Sequence, residues 1–278
     1  MAHIVSDEAE KILDEKFDVL DKGFVRLVDY LGGDARIVQA ARVSYGKGTT
    51  SVRRDKLLIN YLLQHEHTSP FEQVVLTFHC KMPLFVARQW IRHRTARVNE
   101  ISGRYSEMGD EFYIPDPDVI RKQSKKNIMG RDELTEVPAE LQNKVLEILK
   151  RDRENAFAGY KEMLDDEIAR ELARINLPLS LYTEWYWQID LHNLFHFLKL
   201  RLDWHAQLEI RLYAQTLGML TKKVAPMAYE AFEEHILGVR KVSKAQAERI
   251  AKILKQHDPD LLVEIDWLDL ESPEGGVY

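Results

Sequence analysis

Residues 92 to 106 read RHRTARVNEISGRYS, which places four arginines, a histidine, a glutamate, an asparagine and two serines in fifteen positions. Few protein interiors absorb so many polar groups, because each buried one needs its own partner. From Arg88 to Ser106 five arginines (Arg88, Arg92, Arg94, Arg97 and Arg104) stand against one acid, Glu100. The local charge is +4 in a chain whose formal total is -6. Guanidinium stays charged and presents a planar fork of donors that matches phosphate oxygens two at a time, so clustered arginines with no lysine among them indicate an anion site. A solvated basic face, the usual meaning of a charge run, has no need of the Gln, His, Asn and Ser interleaved here.

Elements on both sides must position this stretch. Pro83 suits the first residue of a helix, where its missing N–H costs nothing. Leu84, Ala87 and Ile91 recur at helical spacing, so a helix is expected from Pro83 to about Arg94. Gln89, Arg92 and His93 then share one face, with Arg88 a turn behind Arg92. Beyond Arg94, Asn99, Ser102 and Gly103 indicate an irregular loop whose backbone N–H groups are free to bind more oxygens. Two stretches alternate with period 2. Even positions from Val74 to Met82 are Val, Leu, Phe, Cys and Met, while Leu181, Thr183, Trp185, Trp187 and Ile189 face one way between Leu181 and Asp190. This is the pattern of strands in a sheet covered on one side. Phe17 to Tyr30 has the form of a hairpin around Asp21-Lys22-Gly23. Helical spacing marks 34–43, 53–64, 138–163, 166–177, 192–200 and about 206–223, and Ser243 with Gln246 makes a capping box for a helix to about Gln256. Asp116 to Thr135, with Pro117 and the QSKKN run, is expected to be a mobile loop. Long helices beside well-separated amphipathic strands predict an α+β fold, an antiparallel sheet packed with long helices in a single catalytic domain.

The composition, 45% hydrophobic and 30% charged over 278 residues, suits a soluble globular protein. No apolar run approaches a membrane span, and the acidic first residues do not resemble a basic-then-apolar leader, so a cytoplasmic protein is expected. One cysteine, Cys80, rules out an internal disulfide framework and a cysteine-based zinc finger. Residues 258 to 278 carry seven acids and no Lys or Arg, which leaves +1 for the rest. The acidity therefore belongs to the tail.

Other constellations have plain structural readings beside functional ones. His65, Glu66, His67 and Glu72 could ligate a metal, but no His-Glu-x-x-His helix pattern exists and no metal is expected; a polar cap on a helix opened by Pro70 is the plainer reading and can coexist with a ligand contact. His192 and His196 lie one helical turn apart, as do Arg201 and His205; Arg174 follows an apolar helix face and needs a partner. Singly these are ion pairs or solvent contacts. Together they can close a second wall around an anionic ligand. Cys80 falls on the apolar face of its strand, where a thiol is a small hydrophobe with a raised pKa and not a nucleophile.

The triplet Arg92-His93-Arg94 followed by Asn99-Glu100-x-Ser102-x-Arg104-Tyr105 resembles the signature of the flavin-dependent thymidylate synthases. So, in order, do His65-x-His67-x-Ser69-Pro70-Phe71-Glu72, the Ala-Arg-x-x-Leu-Pro-Leu run from Ala173, and Leu200-Arg201-x-Asp203-x-His205-Ala206-Gln207. The likeness spans roughly residues 17 to 237, with 1–16 and 238–278 as additions. It implies methylation of dUMP to dTMP, with 5,10-methylenetetrahydrofolate giving the carbon and NADPH a hydride through FAD, in a homotetramer whose active sites are shared between subunits. Carried over residue by residue, it implies Gln89, Arg92, Glu100, Ile101, Ser102, Gly103, Arg104 and Arg174 on dUMP, and Arg201 as the catalytic cation beside the pyrimidine. Ser102 has no base beside it in sequence and is given a positioning role. For FAD the corresponding residues are Ser69, Arg92, His93, Arg94, Glu100, Asp190, His192 and His196, with His67 on the folate side. Asp190-Leu191-His192 stands where some members carry Asn-x-Arg, which replaces a permanent cation by a mostly neutral group. The rival classes are a nucleic-acid-binding module and a metal-dependent phosphohydrolase. The first needs a broad basic surface and the second a carboxylate cluster, and the sequence offers neither near the arginines.

Overall fold

The two alternating stretches form the centre of one sheet. Val75–Pro83 (β3) pairs antiparallel with Tyr182–Asp190 (β5), from Val75↔Asp190 to Pro83↔Tyr182. The computed structural model describes residues 4–44, 51–125, 130–132, 135–258 and 260–261, so most of the acidic tail and part of the QSKKN run lie outside the described residues. Lys16–Val19 (β1) and Gly23–Leu31 (β2) make the expected hairpin, with Leu20 at φ 63° in its turn. β2 pairs with β3 with a bulge between Leu27 and Asp29. Arg97–Glu100 (β4) pairs with β5 at the other edge. Among the described residues the order is β1-β2-β3-β5-β4, all antiparallel, and the fold is α+β.

One face of the sheet carries the core. Phe78, Cys80, Met82, Trp185 and Trp187 are buried there under Leu84–Trp90 (α4), Leu191–Arg201 (α7) and Leu208–Val224 (α8). Trp90 is fully buried and meets Trp185, Trp187 and Phe197 at ring-centroid distances of 5.4, 5.1 and 5.1 Å. Burying the apolar surface of so large a ring contributes about 2–3 kcal/mol, offset in part by its buried indole N–H, which has no partner among the described residues, and the ring docks the end of α4 against α7. The remaining helices are Asp7–Glu10 (α1), Asp34–Ala41 (α2), Val52–Gln64 (α3), Ala139–Asp165 (α5), Arg170–Ala173 (α6), Pro226–Phe232 (α9) and Lys244–His257 (α10). The chain divides into two units, residues 1–237 and 238–278. Within the first, Ala9 is fully buried, so residues before 17 contribute to its core. In the second, Ser243 and Gln246 form the expected capping box at the start of α10.

Five local expectations are corrected. α4 ends at Trp90, so Arg92, His93 and Arg94 do not continue its face but lie on the turn after it, where the His93 N–H donates to the Trp90 carbonyl at 3.0 Å. The stretch after Arg94 is not wholly irregular, because the free edge of β5 recruits Arg97–Glu100 as β4. Residues 166–177 are not one helix: Glu167 takes φ 57° and closes α5, leaving α6 and one 3-10 turn at Arg174–Asn176. Pro70 precedes a single 3-10 turn, Phe71–Gln73, and not an α-helix. In the segment 116–135 the described residues are tied down, since Gln123 pairs with Arg131 and Arg131 forms an ion pair with Glu209. α9 carried no expectation. Pro226 starts it, and the Asp34 carboxylate accepts from the N–H groups of Met227 and Ala228 at 2.9 and 3.0 Å, filling two donors that a helix start leaves open.

Candidate active site

The arginine turn and the C-terminal end of α7 meet because Trp90 and Phe197 hold their parent helices together. His93 lies edge-on to Phe197, centroids 4.8 Å apart. The Arg201 Nε–H donates to His93 Nε2 at 3.1 Å, and Arg201 Nη2 donates to the Gln89 carbonyl at 3.4 Å. Since guanidinium only donates, His93 accepts through Nε2 and is neutral with its proton on Nδ1. Burial, then the charge of Arg201 and the neighbouring His196, push His93 down to about 4. Burial also lowers Arg201 from its ordinary value, and it remains a cation at neutral pH.

Two clefts adjoin at this point. The first, about 320 Å3, is lined by Arg92, His93, Arg94, Arg201, His196 and Asn193 among others. The second, about 350 Å3, is lined by His67, Thr68, His192, His196, Phe195 and Lys199 among others. His196 belongs to both. On α7, positions 192, 196 and 199 recur at helical spacing and so face the second cleft together. Lys199 went unremarked in the sequence, although its spacing from His192 and His196 was readable. Asp190 caps α7: its carboxylate accepts from the Asn193 backbone N–H at 2.9 Å and from the Asn193 side-chain amide at 2.8 Å. That occupies acceptor capacity of Asp190 within the protein. Ser69 and His67 are exposed on the loop after α3.

The residues that the family resemblance assigns to dUMP form a neighbouring surface. The Thr183 hydroxyl donates to Glu100 Oε1 at 2.6 Å, which fixes a carboxylate at the end of an exposed edge strand. The Ile101 N–H bonds to the Glu184 carbonyl at 2.9 Å, so β5 carries the chain into the turn at Ser102. There Ser102 Oγ accepts from the Arg104 N–H at 3.3 Å. A Cβ on Gly103 would stand 2.9 Å from Met108 Sδ and 3.2 Å from Arg174 Cδ, so this glycine lets Arg174 lie against the turn. Arg104 pairs with Glu171 at 3.1 Å, both about half exposed. The Gln89 amide donates to Gln207 Oε1, which ties α4 to the start of α8. Thr183 was legible as part of a strand face and Gln207 as part of a motif, but neither was given a site role, because each acts through a partner distant along the chain. Cys80 is fully buried, and burial pushes its thiol far up. Among the described residues no three His, Cys, Asp or Glu side chains gather to hold a metal ion, and no helix is long and apolar enough to cross a membrane.

Comparison with known proteins places this arrangement. The family described as Thymidylate synthase complementing protein matches residues 26–227. A protein of Treponema denticola named flavin-dependent thymidylate synthase is 59% identical over 249 residues, which cover 90% of this chain and 93% of that one. One of the same name from Rickettsia bellii is 49% identical and covers 96% of both. A solved structure of the UMP/dUMP methylase PolB from Streptomyces cacaoi, bound with 5-Br dUMP, superposes with a TM-score of 0.72 at 33% identity, over 79% of this chain and 98% of that one. The chain therefore belongs to the flavin-dependent thymidylate synthase family.

Proposed function

We propose that this protein catalyses the reductive methylation of dUMP to dTMP, with 5,10-methylenetetrahydrofolate as carbon donor and NADPH as reductant through FAD. The observation that carries the reading is the adjacency of the two clefts through His196, with Arg201 at the wall of the first and His67 in the second. A carbon and a hydride can pass between bound molecules only where their sites adjoin. The relatives named above support the substrate class.

The residues present fit a flavin dinucleotide. Arg92 and Arg94 offer charge to its phosphates, and Ile189 and Leu200 offer an apolar wall in the same cleft. When bound, the flavin supplies hydride transfer, chemistry that no side chain here provides. Ser69, Arg92, His93, Arg94, Glu100, Asp190, His192 and His196 hold it, with Asp190 acting mainly by capping α7 and His67 facing the folate side. Gln89, Arg92, Glu100, Ile101, Ser102, Gly103, Arg104 and Arg174 hold dUMP. Arg201 stands beside the pyrimidine, where a fixed, half-buried cation stabilises negative charge developing on the ring and so prepares the carbon to be alkylated. His93 aims it: His93 Nε2 accepts from the Arg201 Nε–H and the Gln89 carbonyl accepts from Nη2, which leaves Nη1 and the second Nη2 proton for the substrate. No cysteine nucleophile takes part, in keeping with the burial of Cys80.

Catalysis belongs to residues 17–237, with 1–16 and 238–278 as additions. The working form is a cytoplasmic homotetramer that binds small molecules and neither nucleic acid nor membrane. Exposed apolar side chains beside the site, Ile101 at 46%, Ile175 at 77% and Leu179 at 62%, support assembly around it. The purified protein should show the visible absorption of bound flavin and form dTMP with dUMP-dependent NADPH oxidation, and Arg201→Ala should abolish turnover while leaving flavin bound. A colourless protein that takes up no FAD, or full turnover by Arg201→Ala, overturns the reading.

A further inference from the structure

Glu209 is 3% exposed, in the first turn of α8, and its carboxylate is held from the segment between β4 and α5. Arg131 Nη2 donates to both of its oxygens at 2.7 Å, and the Tyr113 hydroxyl donates to Oε1 at 3.2 Å. Arg131 Nη1 also donates to the Val119 carbonyl at 2.9 Å, and Arg131 pairs with Gln123, so the described parts of this segment form a clip around the guanidinium. Burial alone would raise Glu209, but the hydrogen bonds and charge of Arg131 hold it below its ordinary value. It is a carboxylate with its partner in place. Two residues earlier stands Gln207, the residue that opens α8 and accepts from Gln89. Gln89 in turn offers its carbonyl to Arg201. Tyr113 closes the circuit on the other side, its ring 5.7 Å from Phe85 on α4.

We infer that Arg131 is a positioning residue for the nucleotide side of the active site: by clamping Glu209 it fixes the start of α8, and through Gln207 it sets the place of Gln89. The inference rests on the reading of Gln89 as a dUMP contact. A buried ion pair is weak as a source of stability, because desolvation of both charges offsets their attraction, yet its fork geometry orients whatever it is attached to. What Arg131 contributes is therefore placement, and it is lost when the fork is lost even if the fold is kept.

The test is dUMP binding and steady-state kinetics of the flavin-loaded enzyme in four variants. Arg131→Ala leaves the Glu209 charge buried without its cation, so its melting temperature is followed alongside. Arg131→Met/Glu209→Leu removes both charges at similar volume and should keep the wild-type melting temperature. The expected result is that both raise KM and Kd for dUMP by about tenfold with kcat changed by less than about threefold, and that Arg131→Lys recovers only part of the loss. Gln89→Ala is the control for the reading beneath. If wild type binds dUMP, Gln89→Ala weakens it and the Met/Leu pair binds dUMP like wild type, Arg131 is a structural anchor only and the inference falls alone. If wild type does not bind dUMP, the functional reading falls with it.

Discussion

The hydrogen bond from Arg201 Nε to His93 Nε2 exists only while His93 is neutral, so acid should attack the site at this residue. An ordinary histidine titrates near 6.5, and burial with the nearby Arg201 charge brings His93 to about 4. Between those values the unfolded chain binds a proton that the folded chain refuses. Stability from this group is therefore complete above pH 6.5 and is lost as pH falls toward 4. At pH 5 the undiscounted difference is about 2 kcal/mol, and partial solvent access reduces it to about 1 kcal/mol. His93→Gln removes the titration yet retains an acceptor for Arg201. The assay is urea unfolding of both proteins at pH 7 and pH 5, with the imidazole of His93 followed by NMR. Wild type should lose about 1 kcal/mol more than His93→Gln over this interval, beneath whatever the other histidines contribute equally to both. A His93 resonance titrating near 6.5, or identical pH losses in the two proteins, refutes the neutral-acceptor assignment. So does a ring carrying its proton on Nε2 at pH 7.

Cys80 should resist maleimide in the folded protein and react fully in urea, and Cys80→Ala should retain turnover at a stability cost of about 1 kcal/mol; mass spectrometry of the labelled protein and kinetics check both. Gly103→Ala forces a Cβ toward Met108 Sδ and Arg174, so dUMP affinity by calorimetry should fall about tenfold, and Met108→Ala in the same chain should restore part of it. Asp190→Ala removes the cap of α7 and should lower stability by about 1 kcal/mol in thermal unfolding, with flavin affinity reduced as a consequence of the frayed helix start.

The strands were legible because Val74 to Met82 and Leu181 to Asp190 keep strict alternation, which records burial on one face directly in the residue types. The ends of helices were legible where a side chain makes the cap, as at Ser243, and illegible where backbone conformation does, as at Glu167 with its positive φ. β4 escaped because RVNE carries no alternation of apolar and polar residues to reveal it; it is a strand only because the edge of β5 lies open beside it. The segment 116–135 looked mobile from its Pro and Lys content. Its anchor, Glu209, lies 78 residues beyond Arg131 and leaves no local trace.

By itself the sequence determined which side chains could grip an anion. Fork-shaped cations without lysine, interleaved with His, Asn and Ser, suit a ligand that offers anionic oxygens in pairs, because donor geometry is a property of the residue and not of its surroundings. It also determined that Cys80 lies on the covered face of its strand. Only the tertiary structure decided which of those cations work together. Trp90 and Phe197 bring the turn at Arg92–Arg94 to the end of α7, so that Arg201 meets His93 across 108 residues of chain. It also made His196 the wall between two clefts. Contacts of that separation come from packing of the core, where close-fitting aromatic rings set the distance between elements, and no local pattern of residues encodes that distance.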